Sequence, residues 1–160
     1  MVSDPGLLGD EAVSLAVRPF GILLFDRCGR GAFLMPEPTK RILIVEDEYY
    51  LAEDCAQEIV RQGMQVMGPI GSVESALQAV AQDVPDGAII DLNLQGELAF
   101  KVVQALRDRG VPFVVYTGYS SLAFPVQLAE IVTVEKPTSA AEAVLKLVEC
   151  MTSTRGYEGE

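Results

Sequence analysis

From residue 40 onward the chain alternates between two hydrophobic periods. Short unbroken apolar runs rich in Val and Ile recur, and between them apolar residues fall three or four positions apart. The first pattern marks strands buried on both faces, and the second marks amphipathic helices. Residues 41–45 (RILIV) open the series as a strand. Leu51, Cys55 and Ile59 then share one helical face, and Gly63 stops that helix. Residues 64–68 (MQVMG) form a short strand, and Ser72 caps a helix carrying Val73, Leu77 and Val80. Residues 88–91 (AIID) are the third strand. A longer helix follows through Leu98, Val102, Val103 and Leu106, with Arg107 and Arg109 near its negative end and Gly110 as its stop. Residues 112–117 (PFVVYT) and 131–134 (IVTV) give two further strands. Between them a short helix is expected over Ser121–Glu130, interrupted by Pro125. The last helix opens at Ser139 with Glu142 three residues on, the capping-box spacing, and runs through Val144, Leu145 and Val148.

This alternation predicts an α/β fold: a (βα)5 doubly wound, parallel five-stranded sheet with helices on both faces and a short or irregular fourth helix. In such a sheet the working site lies at the carboxyl ends of the strands, where the strand order switches. Strand one ends in Glu46, Asp47 and Glu48; strand three ends in Asp91; strand four ends in Thr117; strand five runs into Glu135, Lys136 and Pro137. Taken singly, each residue has an ordinary explanation. An acidic pair suits a helix N-terminus, an Asp or Thr suits a turn, and a lysine before proline suits a solvated loop. Four strand ends meeting at one edge ask for a common explanation. Converging Glu46, Asp47 and Asp91 repel one another, and a hard divalent cation removes that cost. Mg²⁺ takes one or two carboxylates, a carbonyl and waters, which Asp47, Asp91 and the backbone carbonyl of Asn93 supply in this reading. Lys136 and Thr117 then offer a charge and a hydrogen bond to an anion. A phosphoryl group fits, with Asp91 as the nucleophile that forms an acyl phosphate.

Composition narrows the field. The net charge is −11, with 22% charged and 49% apolar residues, so no basic footprint for nucleic acid or an anionic membrane exists. The chain has no histidine, which excludes a Ser-His-Asp set, a His-ligated zinc and a phosphohistidine made on this chain. Cys28, Cys55 and Cys150 lack metal-ligand spacing, and a reducing, cytoplasmic compartment is expected. No run reaches membrane-span length, and Asp4 stands where a signal peptide carries a basic residue.

Residues 42–48 (ILIVEDE), 88–94 (AIIDLNL), 114–119 (VVYTGY) and 135–137 (EKP) together resemble the response-regulator receiver domain, with its CheY-like, flavodoxin-like fold. The resemblance covers residues 39–151. It implies that Asp91 is the phosphoacceptor, Glu46 and Asp47 the acidic pair at a Mg²⁺ site, Thr117 the switch hydroxyl and Lys136 the phosphate-pairing lysine. It implies a cis peptide before Pro137, and it makes Asn93 and Tyr119 the positions that tune the lifetime of the phosphoryl group. Residues 112–119 also resemble the Phe-x-Phe-Ala-Thr-Gly-Tyr class of alphaproteobacterial receivers, often partnered with HWE or HisKA_2 kinases. Two features depart from these patterns. Tyr116 replaces the Ala of that signature, and Thr133 stands where most receivers place an inward-turning aromatic.

Residues 1–38 form an N-terminal extension ending in a linker-like PEPTK, and residues 152–160 a tail. The apolar run 20–25 (FGILLF) is compatible with an edge strand, with disorder, or with a start of translation at Met35 that removes it. The expected partners are a sensor histidine kinase or histidine phosphotransfer protein as donor and a downstream protein target. The rival readings are a phosphorylation-independent binding module and a Mg²⁺-dependent aspartyl phosphatase. The phosphatase calls for a second Asp two residues after the nucleophile, where this chain has Asn93.

Overall fold

The computed structural model describes residues 14–18, 21–25, 31–34, 38–118 and 131–153. The chain divides into two units, Met1–Pro38 and Thr39–Glu160. In the first, β1 (Ser14–Arg18), β2 (Gly21–Phe25) and β3 (Gly31–Leu34) form an antiparallel sheet with β2 in the centre. Residues 21–25 of the apolar run therefore supply the middle strand of a small antiparallel sheet.

The second unit is built on five parallel strands: β4 (Arg41–Val45), β5 (Gln65–Ile70), β6 (Gly87–Ile90), β9 (Phe113–Thr117) and β10 (Thr133–Glu135). Their order is β10-β9-β6-β4-β5. The chain runs outward from β4 to β5, then crosses back past β4 to β6, so the switch in order falls between β4 and β6. Register pairs Val45 with Ile90, Ile90 with Val115, and Thr117 with Glu135. The carboxyl ends of four strands are thereby level, and whatever follows them meets at one edge.

The near-continuous apolar strands are explained by burial on two sides. On one face, Leu43, Val45, Ala88, Ile90 and Val115 pack against helices α2 (Val73–Gln82) and α3 (Phe100–Arg107). On the other, Ile42, Ile44, Ile89, Val114 and Tyr116 pack against α1 (Tyr49–Arg61) and α4 (Ala140–Ser153). The period-two alternation of each strand sorts its side chains between these two cores. Ser72 caps α2 by accepting from the Ser75 amide at 3.3 Å. Ser139 accepts from the Glu142 amide at 3.3 Å at the start of α4. Gly63 and Gly110 adopt φ of 75° and 66° just past α1 and α3, the left-handed step that ends a helix.

Several boundaries differ from the sequence reading. The third helix is shorter than its periodicity suggests. Leu98 keeps the i, i+4, i+8 phase but lies in a two-residue strand, β8 (Glu97–Leu98), paired with β7 (Asn93–Leu94). Gln95 and Gly96, at φ of 54° and 90°, make the tight turn between them. The last strand covers residues 133–135, not 131–134. Thr152 and Ser153 belong to α4 and not to a tail, and their hydroxyls donate back to carbonyls of the preceding turn. The segment Ser121–Glu130 lies outside the described residues. Among the described residues no helix is long and apolar enough to cross a membrane.

These boundaries generate a paired prediction. Leu106, fully buried in α3, should cost about 2–5 kcal/mol on Leu106→Ala. Leu98 is 45% exposed, so Leu98→Ala should cost less than about 1 kcal/mol. Denaturant midpoints of the two variants check this; equal losses would return Leu98 to the core.

Candidate functional site

Every strand end at the switch point carries a polar group into one small region. Asp91 follows β6 directly, and its amide donates to the Val45 carbonyl of β4 at 2.8 Å, which holds the residue against the neighbouring strand. Its side chain is nearly buried, with 7% exposure. A buried carboxylate needs partners, and Asp91 has three. Oδ1 accepts from the Thr117 hydroxyl at 2.9 Å and from the Asn93 amide at 3.0 Å. Oδ2 accepts from Lys136 Nζ at 2.7 Å.

Lys136 reaches the same edge from β10. Its ammonium bridges Asp91 Oδ2 and Glu46 Oε2, both at 2.7 Å. Glu46 is also buried, and its Oε1 accepts from the Glu48 amide at 3.0 Å. Asp47 is held from the other side by the Gln95 amide at 3.1 Å, so the β7–β8 turn closes over the acidic edge. The Asn93 side chain braces that turn by accepting from the Gly96 amide at 3.1 Å. A cavity of about 270 Å³ opens over these groups, lined by Glu48, Asp91, Asn93, Thr117, Gly118 and Lys136.

The electrostatics follow from crowding. Glu46, Asp47 and Asp91 each place a carboxylate oxygen within 4.8 Å of the others, a cluster able to hold a metal ion. Burial pushes the Glu46 carboxyl above its ordinary range, and Asp91 adds to the push. The hydrogen bonds and charge of Lys136 and the Glu48 amide pull it back only in part. Burial lowers the Lys136 ammonium, but its bonds to Asp91 and Glu46 outweigh that and hold it above its ordinary value. One ammonium against three carboxylates leaves negative charge unneutralised. The donor set is all hard oxygen, and it fits a small divalent cation.

Glu46, Asp47, Asp91, Thr117 and Lys136 are thus brought together, with Asn93 at the rim. The peptide before Pro137 is cis. Tyr119 lies outside the described residues. Thr133, at the usual aromatic position, donates its hydroxyl to the Ile131 carbonyl at 3.3 Å. The site roles of two contributors escaped the sequence reading. The Gln95 amide acts through its backbone, to which sequence type is silent. Tyr116 looks from its strand position like an ordinary core residue.

The response regulator receiver domain family model matches residues 42–147. The chain belongs to the response regulator receiver domain family. It is 30% identical over 107 residues to the photosynthetic apparatus regulatory protein RegA of Rhodobacter capsulatus, an alignment covering 65% of this chain. The chain spans only 57% of the length of that relative. Among solved structures it is similar to SdrG from Sphingomonas melonis Fr1, at 30% identity and a TM-score of 0.62, over 71% of this chain and 97% of SdrG. A CheY-like receiver domain from Methanospirillum hungatei JF-1 shares the fold at a TM-score of 0.67 and 23% identity, over 76% of this chain and all of that one. Membership of the family places the chain in two-component signalling, where receivers meet kinases or phosphotransfer proteins and downstream targets.

The lysine bridge should show itself in pH dependence. Because folding raises the Lys136 value, its stabilisation is fully present below lysine's ordinary value and is lost as pH rises through the raised one. Glu46 acts in the same sense at lower pH: its raised value makes stability fall as pH climbs from the ordinary carboxylate range toward the raised value. Lys136→Met in Mg²⁺-free buffer should therefore lose about 3 kcal/mol at neutral pH, by leaving two buried carboxylates without their cation. That deficit should shrink when wild-type Lys136 is deprotonated at strongly alkaline pH. Urea melts of both proteins across pH read it, and a deficit independent of pH would contradict the bridge.

Proposed function

We propose that this chain is a phosphoryl-accepting response regulator. In this reading an Asp91 carboxylate oxygen attacks the phosphorus of a phosphohistidine on a sensor kinase or phosphotransfer protein. The new P–O bond forms as the P–N bond breaks, and the imidazole leaves with its electron pair. The observation that carries the reading is the Asp91 carboxylate itself, held between the Thr117 hydroxyl and the Lys136 ammonium beside an acidic pair.

The residues divide the work. Thr117 and Lys136 already converge on the oxygens of Asp91, so a phosphoryl group there lies within reach of both. Lys136 takes up part of the negative charge that the group brings, and Thr117 moves its hydroxyl from the carboxylate to a phosphoryl oxygen. Glu46, Asp47 and Asp91, with the Asn93 carbonyl, would hold Mg²⁺. That ion, when bound, supplies the charge neutralisation that lets an anionic donor approach an anionic edge. Asn93 and Tyr119, two residues past Asp91 and Thr117, set how readily water reaches the acyl phosphate.

The chain acts on no substrate but its own aspartate and its donor, and works in the cytoplasm. With a net charge of −11 it suits protein targets and not nucleic acid. Its likeness to the Phe-x-Phe-Ala-Thr-Gly-Tyr receivers makes an HWE or HisKA_2 kinase the first donor to test.

Intact mass after incubation with Mg²⁺ and acetyl phosphate tests the reading. Wild type should gain a single base-labile phosphoryl group, EDTA should prevent it, and Asp91→Asn should gain none. A purified HWE or HisKA_2 kinase is the second donor. An unmodified wild type with both donors, or an adduct that persists in Asp91→Asn, would overturn the assignment.

A further inference from the structure

We propose that Tyr116 is the positioning residue that fixes Lys136 against Asp91. The inference rests on the reading of Asp91 as phosphoacceptor only for its functional consequence; the brace itself stands on geometry.

Tyr116 is the penultimate residue of β9 and is 3% exposed, packed on the α1–α4 side of the sheet. A phenol at a core position needs a partner for its hydroxyl. Here the hydroxyl donates to the carbonyl of Thr138, two residues after the site lysine. The same ring lies beneath that lysine, with Lys136 Nζ 5.4 Å from its centroid, within cation–π range. The loop between them is a tight turn, closed by the Thr138 amide on the Glu135 carbonyl at 3.0 Å. At its front, the Lys136 amide donates to the Thr117 carbonyl at 2.9 Å. Consecutive residues of β9 thus hold the lysine loop at both ends: Thr117 by its backbone, Tyr116 by its hydroxyl.

What lies beyond explains why a brace matters. A second cavity, of about 620 Å³, borders Tyr116 and Lys136 on the α1 side. Glu48, Asp54 and Glu58 line it. A lysine on a flexible four-carbon stem would find these carboxylates as alternative partners. The Tyr116 ring borders this cavity under the ammonium, and with the Thr138 tether it keeps the ammonium on Glu46 and Asp91. The same side chain belongs to the residue next to Thr117, so a shift of that hydroxyl strains the lysine loop through the Thr138 tether.

The test reads Lys136 directly. In wild type at low temperature, the Lys136 ammonium should give a protected ¹H–¹⁵N signal, with ε-methylene protons moved upfield by the ring. Tyr116→Leu should abolish both and slow phosphorylation by acetyl phosphate about ten- to a hundredfold, as displacement of a charged group by about an ångström does. Tyr116→Phe keeps the ring, so it should keep the upfield shift and lose less than the leucine variant. In a Lys136→Met background, Tyr116→Leu should cause no further slowing, because its action passes through the lysine. An unchanged Lys136 signal in Tyr116→Leu, or a full additional loss on Lys136→Met, would reduce Tyr116 to a packing residue and overturn the proposal. Should Tyr116→Leu fail to fold, the Phe variant carries the test, since loss of the tether alone should broaden the ammonium signal. If wild type takes no phosphoryl group while the lysine signal still follows Tyr116, the brace stands and the phosphoacceptor reading falls.

Discussion

The site depends on one ion-pair bridge. Lys136 sets its ammonium 2.7 Å from both Glu46 and Asp91, and these two carboxylates are nearly buried. Without that charge, the end of β4 and the end of β6 would present adjacent anions away from water, a costly arrangement. With it, three strands from distant parts of the sequence are locked at one edge. The bridge also sets the chemistry. It accounts for only part of the negative charge, so the edge retains an appetite for a divalent cation, and it leaves Asp91 oriented by donors on both oxygens. The same groups that stabilise the resting carboxylate are those that receive a phosphoryl group in the proposed function.

The frame that makes the bridge possible is the level register of the parallel strands. Val45, Ile90 and Val115 are neighbours across the sheet, so Glu46 and Asp91 emerge side by side and Thr117 is two residues away. Two separate cores, one on each face, keep that register from slipping, since a one-residue shift would send every side chain to the wrong core. The small antiparallel sheet of β1, β2 and β3 belongs to a separate unit. The receiver unit holds all of the site residues described above.

The strands and their terminal residues are legible in the sequence because doubly buried strands are unbroken apolar runs and a charged or polar residue at their end stands out. Glu46, Asp47, Asp91, Thr117 and Lys136 are all of this kind. Periodicity misled at Leu98, where two residues of hairpin happen to keep helical phase with Val102 and Leu106. The Gln95–Gly96 turn that makes the hairpin needs only positive φ at two positions, and its first residue is not one that advertises such a turn. Backbone donors such as the Gln95 amide have no side-chain signature at all. Tyr116 was visible as a departure from a motif, but its meaning required the position of Thr138, which no local pattern encodes.

Asp91 and the acidic edge act as one site in the proposed function. The most direct measurement is a ¹H–¹⁵N correlation spectrum recorded first with Mg²⁺ and then with Mg²⁺ and beryllofluoride, a phosphoryl mimic. Mg²⁺ should shift amides of residues 46–48 and 91–95, and beryllofluoride should add large shifts at Thr117, Gly118 and Lys136. Saturable shifts confined to other parts of the chain, or none on either addition, would contradict a single site.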